Sequence, residues 1–283
     1  MQNANVLLRK LNTDKGHSFG AWQTFAGAHL SSTLARTGVD WVLIDCEHGN
    51  IGGMLAEILH RGLLFTKTTL DNEMHDAVRA VASCDVSPIV RIPENQGWMV
   101  KRALDAGAHG ILVPMLRSID DAKKVVLNAK FPPRGIRGFG SPFSTGSFNT
   151  RPRLNDWDYL TNANDSLLTI VQIETREALN NVEDIAKVDG IDVLFVGPFD
   201  LGNSIGHPIQ GDYDPELEIA ICRILKAAKQ AGKKSGIFCS DGDMAAKYAK
   251  MGFQMISVAD DFSSISNGVE AAMSKVTRPS MRI

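Results

Sequence analysis

Two short apolar runs in this 283-residue chain stop on carboxylates. LLTIVQIE closes on Glu174, and DVLFVGPFD closes on Asp200. Two hard oxygen donors held together can bind a divalent cation and leave positions open for water and substrate. The stretch between them, TREALNNVEDIAKVDG, has a helical period ending in a glycine. The pair therefore reads as two parallel strands of a βαβ unit. Such strands end on one edge, which places Glu174 and Asp200 side by side.

Other strand-like runs also end on reactive side chains. WVLID brings Asp45 and, just beyond it, Glu47 and His48; SPIVR ends on Arg91. Gln172 precedes Glu174, and Gly197, Pro198 and Phe199 precede Asp200. Phe238 and Ser240 lie at the end of SGIFCS, and Asp260 at the end of QMISVAD. A cation, a histidine and a fixed guanidinium around one cavity suit the making of an enolate: positive charge stabilises the developing oxyanion and the histidine moves a proton. Taken singly, each residue has an ordinary explanation, since strand-end carboxylates often cap helices and turn histidines are common. The combination on separate strands carries the reading. His17, His29, His60, His75, His109 and His207 have no comparable placement and read as surface or packing residues.

The elements that must position these groups recur regularly. SFGAWQT, WVLID, SPIVR, GILVPM, LLTIVQIE, DVLFV, SGIFCS and QMISVAD are eight strand-like runs. Helical patterns alternate with them at LSSTLARTG, 53–62, 73–83, GWMVKRALDAG, DDAKKVVLNAK, TREALNNVEDIAKVDG and DMAAKYAKMG. Runs this rich in Val, Ile and Leu are strands buried on both faces. Eight such repeats without a linker predict an α/β fold, a (β/α)8 TIM barrel occupying 1–283 as a single domain. A doubly wound open sheet is the alternative fold. A long irregular loop is expected at about 131–166, and a final helix and loose end from about 261.

Composition narrows the classes. Hydrophobic residues make up 44% and charged residues 22%, an ordinary globular balance. A net charge of −2 gives no reason to expect nucleic acid or an acidic membrane as partner. The four cysteines form no CxxC pair, so reduced thiols are expected. No signal-like or bilayer-length apolar run is evident, and the cytoplasm is the default location. No lysine ends a strand-like run, which argues against a Schiff-base aldolase. The loops CSDGDM and ADDFSS are acidic, which disfavours a phosphorylated substrate. GIRGFG has the wrong glycine order for a dinucleotide loop and follows two prolines, so no nucleotide cofactor is expected.

Taken together, WVLIDCEHGN, VRIPENQGWMVKRALDAGAHGILVPM, FPPRGIRGFGSP and VQIETREALNNVEDIAKVDGIDVLFVGPFDLGNSIGHP resemble the HpcH/HpaI aldolase family. That resemblance implies a divalent-metal-dependent (class II) pyruvate aldolase cleaving 4-hydroxy-2-oxo acids to pyruvate and an aldehyde. It makes Glu174 and Asp200 the metal ligands, with Mg²⁺ or Mn²⁺ favoured and Co²⁺ also fitting. It assigns Gln172, Gly197, Pro198 and Phe199 to the pyruvate part, Arg91 to the oxyanion and His48 to the base. Asp105 corresponds to an aspartate that raises that histidine's basicity, and Asp45 to a further acidic position beside it. From spacing alone Asp105 reads as a surface helix residue. The family assembles as hexamers of domain-swapped dimers, so a homo-oligomer is implied. Phe199, Phe238 and the GFGSPFSTGSF loop depart from the bacterial pattern. An oxaloacetate decarboxylase or macrophomate-synthase-like enzyme using the same centre is the alternative activity. A barrel that binds a 2-oxo acid without turnover is the non-enzyme alternative.

Overall fold

The computed structural model describes residues 1–13, 16–51 and 72–277. The eight apolar runs form eight parallel strands: β1 Ser18–Gln23, β2 Trp41–Asp45, β3 Ser87–Arg91, β4 Gly110–Val113, β5 Leu168–Ile173, β6 Val193–Val196, β7 Lys234–Ile237 and β8 Met255–Asp260. Each pairs with its sequence neighbours, and β1 closes on β8 to complete the barrel. The fold is thus a (β/α)8 TIM barrel, and the open-sheet alternative falls.

The alternation within each strand explains why the runs are apolar throughout. Trp41, Leu43, Ile89, Leu112, Leu168, Ile170, Val193, Phe195 and Met255 share one cluster that fills the barrel. The residues between them, such as Ile44, Val90, Ile111, Val171, Leu194 and Ile256, pack in a second cluster under the surrounding helices. Both faces are largely dry, so most strand residues are apolar and the polar ones, such as Ser87 and Gln172, are buried with hydrogen-bond partners. Large side chains need small neighbours in the interior. A Cβ on Gly20 would run into the Trp41 ring, and one on Gly236 into Phe195.

The described helices are α1 Val6–Leu11, α2 Ala28–Ala35, α3 Asn72–Ala82, α4 Gly97–Asp105, α5 Ile119–Ala129, α6 Asp156–Ser166, α7 Arg176–Asn180, α8 Val182–Ala186, α9 Pro198–Ile205, α10 Pro215–Gln230, α11 Gly242–Met251 and α12 Asp261–Thr277. The helix expected at 53–62, and His60 within it, lie outside the described residues. Two expectations are revised. The single helix between the last carboxylate-ending strands is two short ones, α7 and α8, with Asn181 ending the first and beginning the second. The irregular run ends at 155, because Asn155 caps α6 by accepting from Asp158 N at 2.8 Å. The remaining loop is pinned by buried cations. Arg137 stacks on Phe131 and Tyr159, and Lys130 donates to the carbonyls of Asn164 and Leu167 near the end of α6.

The floor of the barrel is closed by α1. Leu7 and Leu11 join the interior cluster. Asn5 caps the helix through Leu8 N, accepts from Ser87 Oγ, and donates to the carbonyls of His109 and Ser166. His109 lies buried in the same region, stacked on Phe148 and bridging Ser87 Oγ and the Ser147 carbonyl.

Burial pushes His109 down to about 4 against the opposing hydrogen bond that its ring makes to the Ser147 carbonyl. The folded state keeps it neutral, while the unfolded chain takes up a proton below about 6.5, its ordinary value. Its contribution is therefore complete above pH 6.5 and is lost as pH falls towards 4, by up to about 3 kcal/mol. Urea unfolding across this window should show a steeper loss for the wild type than for His109→Gln. Equal slopes would remove His109 as a source of acid sensitivity.

Candidate active site

The mouth of the barrel is built on one ion pair. Parallel register sets Asp45 at the end of β2 opposite Arg91 at the end of β3. The guanidinium grips the carboxylate with two aligned bonds, Nε to Oδ1 at 2.9 Å and Nη2 to Oδ2 at 2.6 Å. Trp22 Nε1 adds a third donor at 3.0 Å, and the backbone amides of Glu47 and His48 complete the set. Asp45 is 1% exposed. Burial alone would raise its pKa, but Arg91, Trp22 and the His48 amide together hold it below the usual carboxylate range. Arg91 also lies over the Trp22 ring at 4.9 Å, with Glu47 Oε2 2.9 Å from Nη1, a charge contact off the hydrogen-bond line. Burial raises Glu47, and the nearby charge of Arg91 only partly offsets it.

The second carboxylate centre sits across the barrel on β5 and β6. Glu174, one residue past β5, is 1% exposed. Its Oε1 accepts the amide of Met115 at 2.8 Å, and Oε2 accepts Gln172 Nε2 at 2.5 Å. Met115 takes a left-handed φ of 55° to present that amide, a conformation costing about 1 kcal/mol or more. Gly197 is required opposite, since a Cβ there would collide with Glu174 Oε2 and Gln172 Nε2. Burial, reinforced by Asp200 and Glu47, pushes Glu174 up to about 7 despite the Met115 amide and Arg91. Asp200 stands in the first turn of α9, whose Pro198 opens the helix. The amides of Phe199 and Asp200 have no intrahelical acceptor at that terminus.

These groups border one cavity of about 260 Å³, lined by Asp45, His48, Arg91, Gln172, Gly197–Asp200, Trp22, Thr24, Phe238 and Asp260. Glu174 adjoins it through Gln172 and Gly197. The His48 side chain is 66% exposed, 3.8 Å from Glu47. Glu174 and Asp200, neighbouring carboxylates on adjacent strand ends, could hold a cation. Among the described residues there is no cluster of three or more potential metal-ligating side chains. A hard cation held by two carboxylates takes its other oxygens from water and substrate. Gln172 Oε1 is buried without a donor, which fits a site whose polar complement is incomplete in the protein alone.

Not every expected residue converges here. Asp105 closes α4 and binds Arg137 Nη2 at 3.0 Å, in a separate cleft between α3, α4 and residues 139–143. Within one chain the expected pairing of Asp105 with His48 is therefore not made, because Arg137 from the irregular run takes that carboxylate. Asp260 lines the cavity but caps α12 through Ser263 N, and Ser240 points to Asp241. The sequence reading named Glu47 beside Asp45 without giving it a role, and missed one participant: Trp22, inside a strand, carries no signal.

A barrel with acidic and basic groups gathered at the carboxyl ends of its strands has the layout of a barrel enzyme's active site. The chain belongs to the HpcH/HpaI aldolase/citrate lyase family, whose profile matches residues 18–268. It is 34% identical over 261 residues to 4-hydroxy-2-oxo-heptane-1,7-dioate aldolase of Klebsiella pneumoniae subsp. pneumoniae, covering 91% of this chain and 89% of that protein. Among solved structures it resembles an HpcH/HpaI aldolase/citrate lyase family protein from Burkholderia cenocepacia J2315, with a TM-score of 0.81 and 33% identity, covering 97% and 100% of the two chains. Macrophomate synthase aligns with a TM-score of 0.79 at 25% identity, covering 98% of this chain and 88% of that one. The chain is thus an enzyme, and the turnover-free reading falls.

The Asp45–Arg91 pair has a testable worth. Asp45→Asn removes the bidentate partner of a buried guanidinium and leaves it only the off-line contact with Glu47, at a cost of about 3 kcal/mol. Denaturant unfolding should show the midpoint falling with an unchanged slope. A loss below about 1 kcal/mol would show that the mouth does not depend on this pair.

Proposed function

We propose that this protein is a divalent-metal-dependent aldolase that cleaves 4-hydroxy-2-oxo acids to pyruvate and an aldehyde. The observation that carries the reading is the Glu174–Asp200 carboxylate pair facing a buried, fork-held Arg91 and an exposed His48 across one cavity. Glu174 and Asp200 would hold the cation, Mg²⁺ or Mn²⁺ before Co²⁺ from the all-oxygen donors. When bound, it supplies a Lewis acid for the carboxylate and keto oxygens of the 2-oxo acid.

The chain's own groups do the rest. The free amides of Phe199 and Asp200 at the start of α9 receive the substrate carboxylate, favoured by the helix dipole. Gln172 and Gly197 shape the floor beneath it. His48 takes the proton from the 4-hydroxyl; the C3–C4 bond breaks, the aldehyde leaves, and the electron pair remains as pyruvate enolate. Arg91, kept rigid by Asp45 and Trp22, stabilises the enolate oxygen. A proton returned to C3 completes pyruvate. Loss of carbon dioxide from oxaloacetate gives the same enolate without a base, so that substrate tests how far His48 is needed.

An exposed apolar stripe supports a homo-oligomer within the same reading. Phe262, Ile265, Val269 and Val276 expose an apolar stripe along α12, which suits packing against another copy in a homo-oligomer such as a hexamer of swapped dimers. Asp105, engaged by Arg137 in its own chain, would serve His48 only across such a boundary.

Coupled assay with lactate dehydrogenase should show EDTA-sensitive pyruvate release from 4-hydroxy-2-oxo acids; release from oxaloacetate alone would instead make the enzyme a decarboxylase. His48→Ala should lower aldol turnover by about 10²–10⁴-fold with little change in pyruvate affinity. Calorimetry with Mn²⁺ should find binding abolished in Glu174→Gln. In the wild type the affinity should fall as pH drops from 8 to 6, because the proton on Glu174, held up to about 7, must leave before the ion binds. Unchanged binding in the variant would overturn the ligand assignment.

A further inference from the structure

The aldehyde end of the cavity has a wall with a definite chemistry. Trp22, buried at the base, meets Phe238 edge-on at 5.2 Å. Phe238 in turn meets Phe199 at 6.1 Å and 63°. The three rings climb from the interior to the rim, where Phe199 is 50% exposed. The cavity surface they dominate is mostly apolar. Its volume of about 260 Å³ lies just under the roughly 300 Å³ of the smallest drug-sized pockets, room for a three-carbon oxo acid and about one ring.

Charge around the cavity points the same way. Among the described lining residues Arg91 is the permanent cation, and Asp45 and Glu47 hold it at the base. Of the remaining charged lining groups, Asp200 is the proposed cation ligand, and Asp260, which caps α12, is acidic. A carboxylate at the far end of the aldehyde would shed its water against phenyl rings and meet Asp260, with no second guanidinium or ammonium among the described lining residues to receive it. An aromatic or branched apolar aldehyde would instead stack edge-to-face on Phe238 and Phe199.

We infer that the second substrate is an uncharged aldehyde bearing an aromatic or compact apolar group, and that Trp22, Phe238 and Phe199 select it against semialdehydes carrying a carboxylate. This separates the chain from the heptane-1,7-dioate named for its Klebsiella relative. The inference rests on the aldolase reading and deepens it. Phe238 and Phe199 act on specificity, because their rings line the part of the cavity the 2-oxo acid leaves free.

The test compares cleavage of 4-hydroxy-2-oxo-4-phenylbutanoate and 4-hydroxy-2-oxoheptanedioate by the Mn²⁺-supplied full chain. Deuterium exchange of the pyruvate methyl group is followed separately by NMR. The expected kcat/KM ratio favours the phenyl substrate by at least tenfold. Phe238→Ala should lower that ratio tenfold or more. Phe199→Arg, which sets a cation on the exposed rim, should move it toward the dicarboxylate, a gain that a misfolded variant cannot produce. Methyl exchange together with a preference for the dicarboxylate would overturn the inference and leave the aldolase standing. A ratio unmoved by both variants would do the same. Absence of methyl exchange would overturn both.

Discussion

Everything at the mouth of this barrel depends on the dry ion pair between Asp45 and Arg91. A guanidinium this buried is costly to desolvate, and the structure offsets that with a bidentate carboxylate, an indole face and a second acidic neighbour. The donors that saturate Asp45 also fix the turn after β2, since the amides of Glu47 and His48 fold back onto it. One carboxylate therefore orients the cation, positions the histidine's backbone and ties β1, β2 and β3 together through Trp22 and Arg91. Replacing it by a greasy pair would favour stability and remove the only fixed positive charge that the described cavity offers a developing oxyanion.

The opposite side of the cavity is balanced differently. Glu174 is buried beside Asp200 and Glu47, and burial first, then those neighbouring charges, raise its affinity for a proton. Natural folds accept such mismatches where function requires them. The left-handed Met115 and the obligatory Gly197 belong to the same arrangement: backbone is bent and side chain deleted so that one carboxylate can be held where it repels its neighbours.

Much of this was legible in the sequence because the strands are buried on both faces. Trp41–Asp45 and Ser87–Arg91 can be bounded to the residue by where apolar character stops, and the strand-end groups follow from them. The elements that escaped do so for physical reasons. The six residues of α1 are too few to signal a helix by periodicity and are stable only when Leu7 and Leu11 enter the barrel. The start of α9 escaped because the apolar run continues through Gly197–Phe199 to Asp200; the proline at N1 is its signal. Asp105 illustrates the limit of carry-over from a family pattern. Its position on α4 could be matched, but its partner within the chain is Arg137, supplied by a run without periodicity.

The helical plug beneath the barrel also bears on how the chain must assemble. Leu7 and Leu11 belong to the interior cluster that also holds residues from β1 to β8, among them Trp22, Ile89, Val193 and Met255, so that cluster is complete only once the ring is shut. The segment made early by the ribosome thus waits for the strand made nearly last. Closure of β1 on β8 joins residues more than two hundred positions apart. Such long-range contacts slow folding and leave apolar surface uncovered in the interim. The plug acts as the latch of a cooperative ring: half-built barrels gain nothing from it, and the completed one is held shut from below.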